Sequence, residues 1–177
     1  MSEVSIRPAV PERDAAAVYA LIDRYRATLA QWMAGIVKPQ SAADTEAFLR
    51  LQAQGNEEGR CAHRLILVDG EIAGSCSLHG VSQAHRSARV GYWLADHHVG
   101  RGVMRRAMEQ LLEHAFHEMG LHRVELGCAP ENIRSCKVAE SLGFRLEGEL
   151  RDAQWLNGRF WNMRCYGLLA EEWKKRE

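Results

Sequence analysis

What this chain lacks excludes more function classes than what it contains. It has no surplus of either charge: Lys plus Arg and Asp plus Glu stand at 23 each in 177 residues. No global field therefore favours nucleic acid or an anionic membrane, and neither is expected as a partner. No stretch is apolar for long enough to span a bilayer, and the first residues, MSEVSIRPAVPERD, hold no apolar core of a secretion signal. The five cysteines are scattered, odd in number and never spaced Cys-x-x-Cys. That spacing excludes a disulfide framework and a zinc site and fits reduced thiols in a cytoplasmic protein. His97-His98 would point apart in extended chain, and His117 to His122 has the wrong spacing for a zinc-protease helix, so no metal is expected. No repeat, linker or low-complexity tract divides the sequence, and residues 1–177 are expected to form one domain.

What is present is organised around Ala88 to Gly120. Arg89 to Ala95 is short, aromatic and β-branched, as a buried strand should be. From Met104, apolar residues recur at Ala107, Met108, Leu111, Leu112, Ala115, Phe116 and Met119. Steps of three and four predict a helix with one apolar face, and Gly120 supplies a left-handed stop. Between strand and helix lies Val99-Gly100-Arg101-Gly102-Val103-Met104-Arg105. Two glycines let a backbone approach a ligand closely, and the helix start behind them offers unpaired N–H groups and a positive dipole end. With Arg101, Arg105 and Arg106 added, the turn is suited to an anion such as a diphosphate. Taken alone it also fits plain chain reversal. A nucleotide P-loop would need Gly-Lys-Ser/Thr, and a dinucleotide fingerprint would need a third glycine where Arg105 stands.

The rest of the chain alternates strands with helices. Val4 to Arg7 is expected as an edge strand, followed by a helix from about Pro11 that carries Leu21, Tyr25 and Leu29 on one face and Trp32 near its end. Ser41 to Asp44 resembles a capping box with Asp in place of Glu, opening a second helix to about Gln54, with a polar loop from Gly55 to Arg60. Leu65 to Val68, Asp69-Gly70 and Glu71 to His79 form a hairpin pattern. His122 to Cys128 reads as a strand crossing over to lie parallel, and Asn132 caps a short helix through Leu142. Leu146 to Leu156 and Arg159 to Leu168 flank Asn157-Gly158 as a second hairpin, and Glu171 to Arg176 reads as a solvated terminal helix. The order β-α-α-β-β-β-α-β-α-β-β predicts a three-layer α/β plan around a mixed sheet.

Three segments carry a family resemblance: GYWL at 91–94, VGRGVM at 99–104, and the run from Pro130 to Leu169 with its Asn132-x-x-Ser135, Gly143-Phe144 and Glu147-Gly148. Together they resemble the GCN5-related N-acetyltransferases (GNAT), and more narrowly the branch that acetylates ribosomal-protein alanine or serine N-termini. The resemblance spans roughly Ile6 to Trp173. It implies a mixed seven-stranded sheet with helices on both faces, splayed central parallel strands, and acetyl-CoA as acyl donor. It would place a diphosphate on Val99, Gly100, Arg101, Gly102, Val103, Met104 and Arg105, and the pantetheine edge-on to Trp93 and Leu94. Asn132, Ser135 and Lys137 would contact the pantetheine or adenosine side. It is also compatible with a homodimer. Two departures stand out: Val99 and Met104 replace the usual residues of the turn, and Ala139 stands where many members carry a tyrosine acid.

Transfer of an acetyl group from a thioester to an amine needs a neutral amine, placement, stabilisation of a developing oxyanion and a proton for the thiolate. The Leu94 N–H is assigned to the oxyanion, and the Ser135 hydroxyl, which could otherwise serve as a helix cap, to the proton. A base is missing where the branch often has a carboxylate, since Gln154 stands there. Gln154 could hydrogen-bond the acceptor or hold a water. His79 is the other substrate-side candidate, Glu125 reads more simply as an ion-pair partner, and Trp32 could line the acceptor cleft. An α-amino group with pKa about 7.7–8.0 is roughly one-tenth neutral at pH 7, whereas a lysine amine near 10.4 falls short by over two further orders of magnitude. A site without a strong base therefore suits the α-amine of a protein, such as a ribosomal protein, better than a lysine. The alternatives are a small-amine acceptor (polyamine, antibiotic or amino acid), a non-catalytic CoA-binding regulatory module, and a nucleotide-binding protein using the same turn.

Overall fold

The computed structural model describes residues 2–33, 35–36 and 38–175. Seven strands form one sheet in the order β1-β2-β3-β4-β5-β7-β6. The strands are β1 (Val4–Arg7), β2 (Ala62–Val68), β3 (Glu71–Ser82), β4 (Ser87–Leu94), β5 (Arg123–Cys128), β6 (Arg145–Leu156) and β7 (Arg159–Leu169). Every neighbouring pair is antiparallel except β4 and β5, which run parallel because α4 (Val103–Glu113) carries the chain across between them.

Alternation along the strands sends successive side chains to opposite faces, and each face has its own helical cover. On one side Leu65, Leu67 and Trp93 pack with Val18, Ile22 and Leu49 from α1 (Pro11–Arg24) and α3 (Ala42–Glu57). On the other, Ile66, Val90, Val124 and Leu168 meet Ala107, Met108, Leu111 and Leu112 of α4, all four fully buried, together with α5 (Ile133–Ser141). The three-layer plan follows from these two cores. Among the described residues no helix is long and apolar enough to cross a membrane.

Several boundaries depart from the sequence reading. The first helix stops at Arg24 and resumes as α2 (Arg26–Leu29), so Trp32 follows a separate turn. Ser41 caps α3 by accepting from the Asp44 N–H at 3.1 Å, and the Asp44 carboxylate accepts from the Gln40 N–H at 2.9 Å and also interacts with Ser41. Residues 55–57, expected in a loop, belong to α3. Gly55 is buried there, and a Cβ on it would lie 2.7 Å from Cys61 Sγ, so a side chain at this turn has no room. The long helix is α-helical only to Glu113 and finishes in a π turn, His114–Glu118. His97 and His98 lie in a 3-10 turn with ring centroids 4.0 Å apart, not in extended chain pointing apart. The terminal helix α6 (Ala170–Lys174) is not simply solvated: Trp173 is buried and donates from Nε1 to Glu113 at 3.0 Å. Arg176 of that expected helix lies outside the described residues.

One buried side chain makes the fold acid-sensitive. His63 on β2 packs edge-on against Phe48, and its Nδ1 meets no partner among the described residues. Burial, with the Arg64 charge beside it, pushes its pKa down to about 4. Between about pH 6.5 and pH 4 the unfolded chain therefore binds the proton that the folded chain refuses, and stability falls as pH falls. The loss reaches about 3 kcal/mol below pH 4. Melting temperatures measured across this window should decline more steeply for the native chain than for His63→Leu, and equal slopes would contradict the assignment.

Candidate active site

The site begins where β4 and β5 separate. They pair only over Ser87–Arg89 with Arg123–Glu125, after which β5 stays on β7 and β4 stays on β3. On the β3 side, Ala95 donates to the Ala73 carbonyl at 2.8 Å. Antiparallel alternation turns the N–H and C=O of Trp93 the same way. The Trp93 carbonyl crowds β3 so closely that a Cβ on Gly74 would lie 2.2 Å from it. Tyr92 and Leu94 therefore turn their backbone groups into the gap that β5 has left. Leu94 and Trp93 both line the cleft, but the polar backbone of Trp93 is turned to β3 and its side chain is buried against α1, so only Leu94 offers a free backbone edge.

The gap opens into a cleft of about 1050 Å³. One end is the turn before α4. Gly100 and Gly102 both take left-handed φ, at 80° and 69°, which glycine adopts without strain. Gly102 is the N-cap of α4 and the helix has no side-chain cap. The first intrahelical bond is donated by Arg106 to the Gly102 carbonyl, so the amides of the first turn lack helical partners. Val99, Gly100, Gly102, Val103, Met104 and Arg105 line the cleft here. The arginine cluster does not converge on it as expected. Arg105 lines the cleft and pairs with Glu109 at 3.0 Å. Arg101 is exposed outside the lining, and Arg106 turns back to donate to the Ser2 carbonyl at 2.7 Å. The turn thus offers backbone amides and one side-chain cation to the cleft.

The middle of the cleft is shared by β4, the end of β5 and the start of α5. Asn132 Oδ1 accepts from the Ser135 N–H at 3.2 Å, so Asn132 is the helix cap. The Ser135 hydroxyl is left for other use and lies 2.7 Å from the Tyr92 hydroxyl. Burial raises the Tyr92 phenol, which stays protonated at any physiological pH. Cys128 lies beside Ser135, with its Sγ 3.5 Å from that of Cys136; burial pushes the Cys128 thiol up to about 12. Lys137 lines the same wall.

The other end is roofed by two chain segments that meet. The Asn157 side chain donates to the Ala30 carbonyl at 3.0 Å, holding the second hairpin onto the segment after α2. Trp32 and Trp161 meet edge to face with centroids 5.3 Å apart. Gln154 and Met163 complete the lining. Gln154 is delivered by an irregularity in β6: the register with β7 shifts between Leu150 and Gln154, and Asp152 takes a φ of 50°. His79 is not brought to this cleft; it stands on β3 opposite Arg89, away from the lining. Glu125 is also elsewhere, bonded to Arg123 at 2.9 Å and Arg89 at 3.3 Å. Tyr92 was missed from sequence, although it shares a strand face with Leu94 by period-two alternation. Its meeting with Ser135 depends on a crossover of 43 residues that no local pattern reveals.

A parallel pair splayed over an uncapped, glycine-led helix start defines an acyl-CoA-binding transferase architecture. Comparison with known proteins agrees. An acetyltransferase (GNAT) domain model matches residues 3–145. The chain is 33% identical over 173 residues to a putative ribosomal N-acetyltransferase, YdaF, of Bacillus subtilis, covering 97% of this chain and 93% of that protein. It is 28% identical over 163 residues to the ribosomal-protein-serine acetyltransferase of Escherichia coli, covering 92% and 91%. The solved structure of Mycobacterium smegmatis RimJ in complex with a CoA disulfide superposes with a TM-score of 0.89 at 30% identity, over 96% of this chain and 83% of that one. The chain belongs to the GNAT acetyltransferase family and is an acetyl-CoA-dependent N-acetyltransferase.

Proposed function

We propose that the acceptor is the α-amino group of a protein chain, acetylated by direct attack within a ternary complex. The observation that carries this is the composition of the roofed end of the cleft. Trp32, Met33, Gln154 and Met163 meet there, and none of them can take a proton at neutral pH. The lining groups able to take a proton are Asp96 and His98, ahead of α4, with the His98 pKa lowered by burial, and Glu131, which lies 3.8 Å from Arg159. An amine entering past the two tryptophans must therefore react from its own neutral fraction, which at pH 7 is about one-tenth for an α-amine with pKa near 7.7–8.0 and over two orders of magnitude smaller for a lysine near 10.4. The names of the relatives above, ribosomal acetyltransferases, support the same acceptor class.

When bound, acetyl-CoA supplies the thioester whose acetyl carbon takes the amine nitrogen as its carbon–sulfur bond breaks. The first-turn amides of α4 and Arg105 would hold the diphosphate, and the free backbone edge of Tyr92 and Leu94 would pair with the pantetheine. The Leu94 N–H would face the acetyl oxygen, where negative charge develops. The Ser135 hydroxyl gives its hydrogen to the departing sulfur and takes one from the attacking nitrogen. One N–H proton thus ends on sulfur, and no external acid or base is consumed. Gln154 orients the acceptor amine.

Peptides with free N-termini, matched to N-terminally blocked peptides carrying an internal lysine, would be incubated with acetyl-CoA and mapped by mass spectrometry. Acetyl groups should appear on the α-nitrogen; modification of lysine side chains alone, or of small amines alone, would overturn the proposal. Gln154→Ala should lower kcat/KM for the peptide about tenfold, the scale of one lost hydrogen bond, with the KM for acetyl-CoA unchanged.

A further inference from the structure

Ser135 does not stand alone in the cleft, and its neighbour changes what its hydroxyl can do. A serine hydroxyl carries one hydrogen and two lone pairs. In the shuttle above Ser135 must direct the hydrogen at sulfur and one lone pair at the amine, so any bond that consumes the hydrogen disables it. Around Oγ the structure places the Tyr92 hydroxyl at 2.7 Å. The amide of Ser135 is held by Asn132, which anchors the residue's backbone at the first turn of α5. Tyr92 is anchored from the opposite side through β4, with Cys76 of β3 as its cross-strand partner. The two hydroxyls thus meet in the middle of the cleft, one carried by β4 and the other by the first turn of α5.

We infer that Tyr92 is the positioning residue of the acid: its phenol donates to Ser135 Oγ, which leaves the serine hydrogen and the remaining lone pair facing the reacting atoms. The direction of donation follows from chemistry, because a phenol is the stronger acid and the better donor, whereas an aliphatic hydroxyl oxygen is the better acceptor. Burial supports it by keeping the phenol protonated, so its hydrogen is always present to give. The Cys128 thiol is a second hydrogen-bonding neighbour of the Ser135 hydroxyl; burial holds it protonated, and neutral sulfur is a weak acceptor that leaves the serine hydrogen to the departing thiolate. Tyr92 loses no proton in the reaction. Its part is to stop the serine rotor in one orientation, a different part from the tyrosine acid whose place Ala139 occupies. The inference rests on the assignment of Ser135 as the acid.

The test is a double-mutant cycle of Tyr92→Phe and Ser135→Ala, followed by release of the CoA thiol with a free-N-terminus peptide as acceptor. Tyr92→Phe removes a single oxygen, and thermal melting checks that both variants are folded. Tyr92→Phe should lower kcat about tenfold, the worth of one hydrogen bond, and change the KM for acetyl-CoA less than about twofold. In the Ser135→Ala background the same change should have no further effect, because there is no hydroxyl left to orient. An equal loss in both backgrounds, an effect on KM alone or no effect would each overturn the inference. If Ser135→Ala itself keeps full kcat, the failure belongs to the assignment of Ser135. If Ser135→Ala is crippled and Tyr92→Phe is not, it belongs to Tyr92.

Discussion

Gly102→Asp is expected to weaken coenzyme A binding about a thousandfold while leaving the protein folded. Gly102 caps α4 with a left-handed φ of 69°, and aspartate is among the few residues that tolerate that conformation. A Cβ there would meet nothing within 4 Å, so the fold has room for the change. What changes is electrostatic. A carboxylate would stand beside the unpaired amides proposed to hold the diphosphate. At about 4 Å and an effective dielectric constant near 20, two unit charges repel by about 4 kcal/mol, which corresponds to about three orders of magnitude in affinity. Gly102→Asn, of the same shape without the charge, should lose about tenfold or less. Isothermal titration with CoA separates the two. Equal losses would mean that backbone shape, not charge, governs this turn, and no loss in either would place the coenzyme elsewhere.

Ser135→Ala is expected to reduce kcat by about two to three orders of magnitude, within the range of a positioned general acid. The structure removes the competing role of this residue, since Asn132 caps α5 and accepts from the Ser135 amide, an interaction that alanine keeps. Neither helix stability nor CoA affinity should therefore change appreciably. With coenzyme binding intact, kcat and kcat/KM should fall together, the sign of an interaction made only in the transition state. Titration with CoA and single-turnover acetyl transfer would be measured side by side. Unchanged turnover would show that the thiolate finds its proton from water, and loss of CoA binding would turn Ser135 into a coenzyme contact.

Amide geometry at one turn could be foreseen because it is local. Two glycines, a helix start and a strand that the sequence ends at Ala95, one residue beyond its observed end, are neighbours in sequence, and the amides left unpaired follow from helix geometry alone. Asn157-Gly158 is legible for the same reason, with both residues at the left-handed φ such a turn demands, 54° and 77°. The arginines show where local reading stops. Three cations within six residues look like one cluster, but Arg101 stands in the turn before α4, Arg105 and Arg106 point in different directions from the helix, and Arg106 is captured by the Ser2 carbonyl far along the chain. His79 failed similarly: a suitable titration range says nothing of which end of the strand faces the cleft.

By itself, then, the sequence determined the layered α/β plan, the two-glycine turn with its unpaired helix-start amides, the family and the lack of a carboxylate at Gln154. These depend on residue type, short-range periodicity and backbone conformation, which neighbouring residues set among themselves. Only the tertiary structure decided which backbone edge of β4 is free, that Tyr92 meets Ser135, and that Asn157 fastens a hairpin over the end of the cleft near Trp32. Those contacts join residues 43 to 127 positions apart. Their geometry is set by how two strands diverge and how a sheet twists, and those are properties of the packed whole.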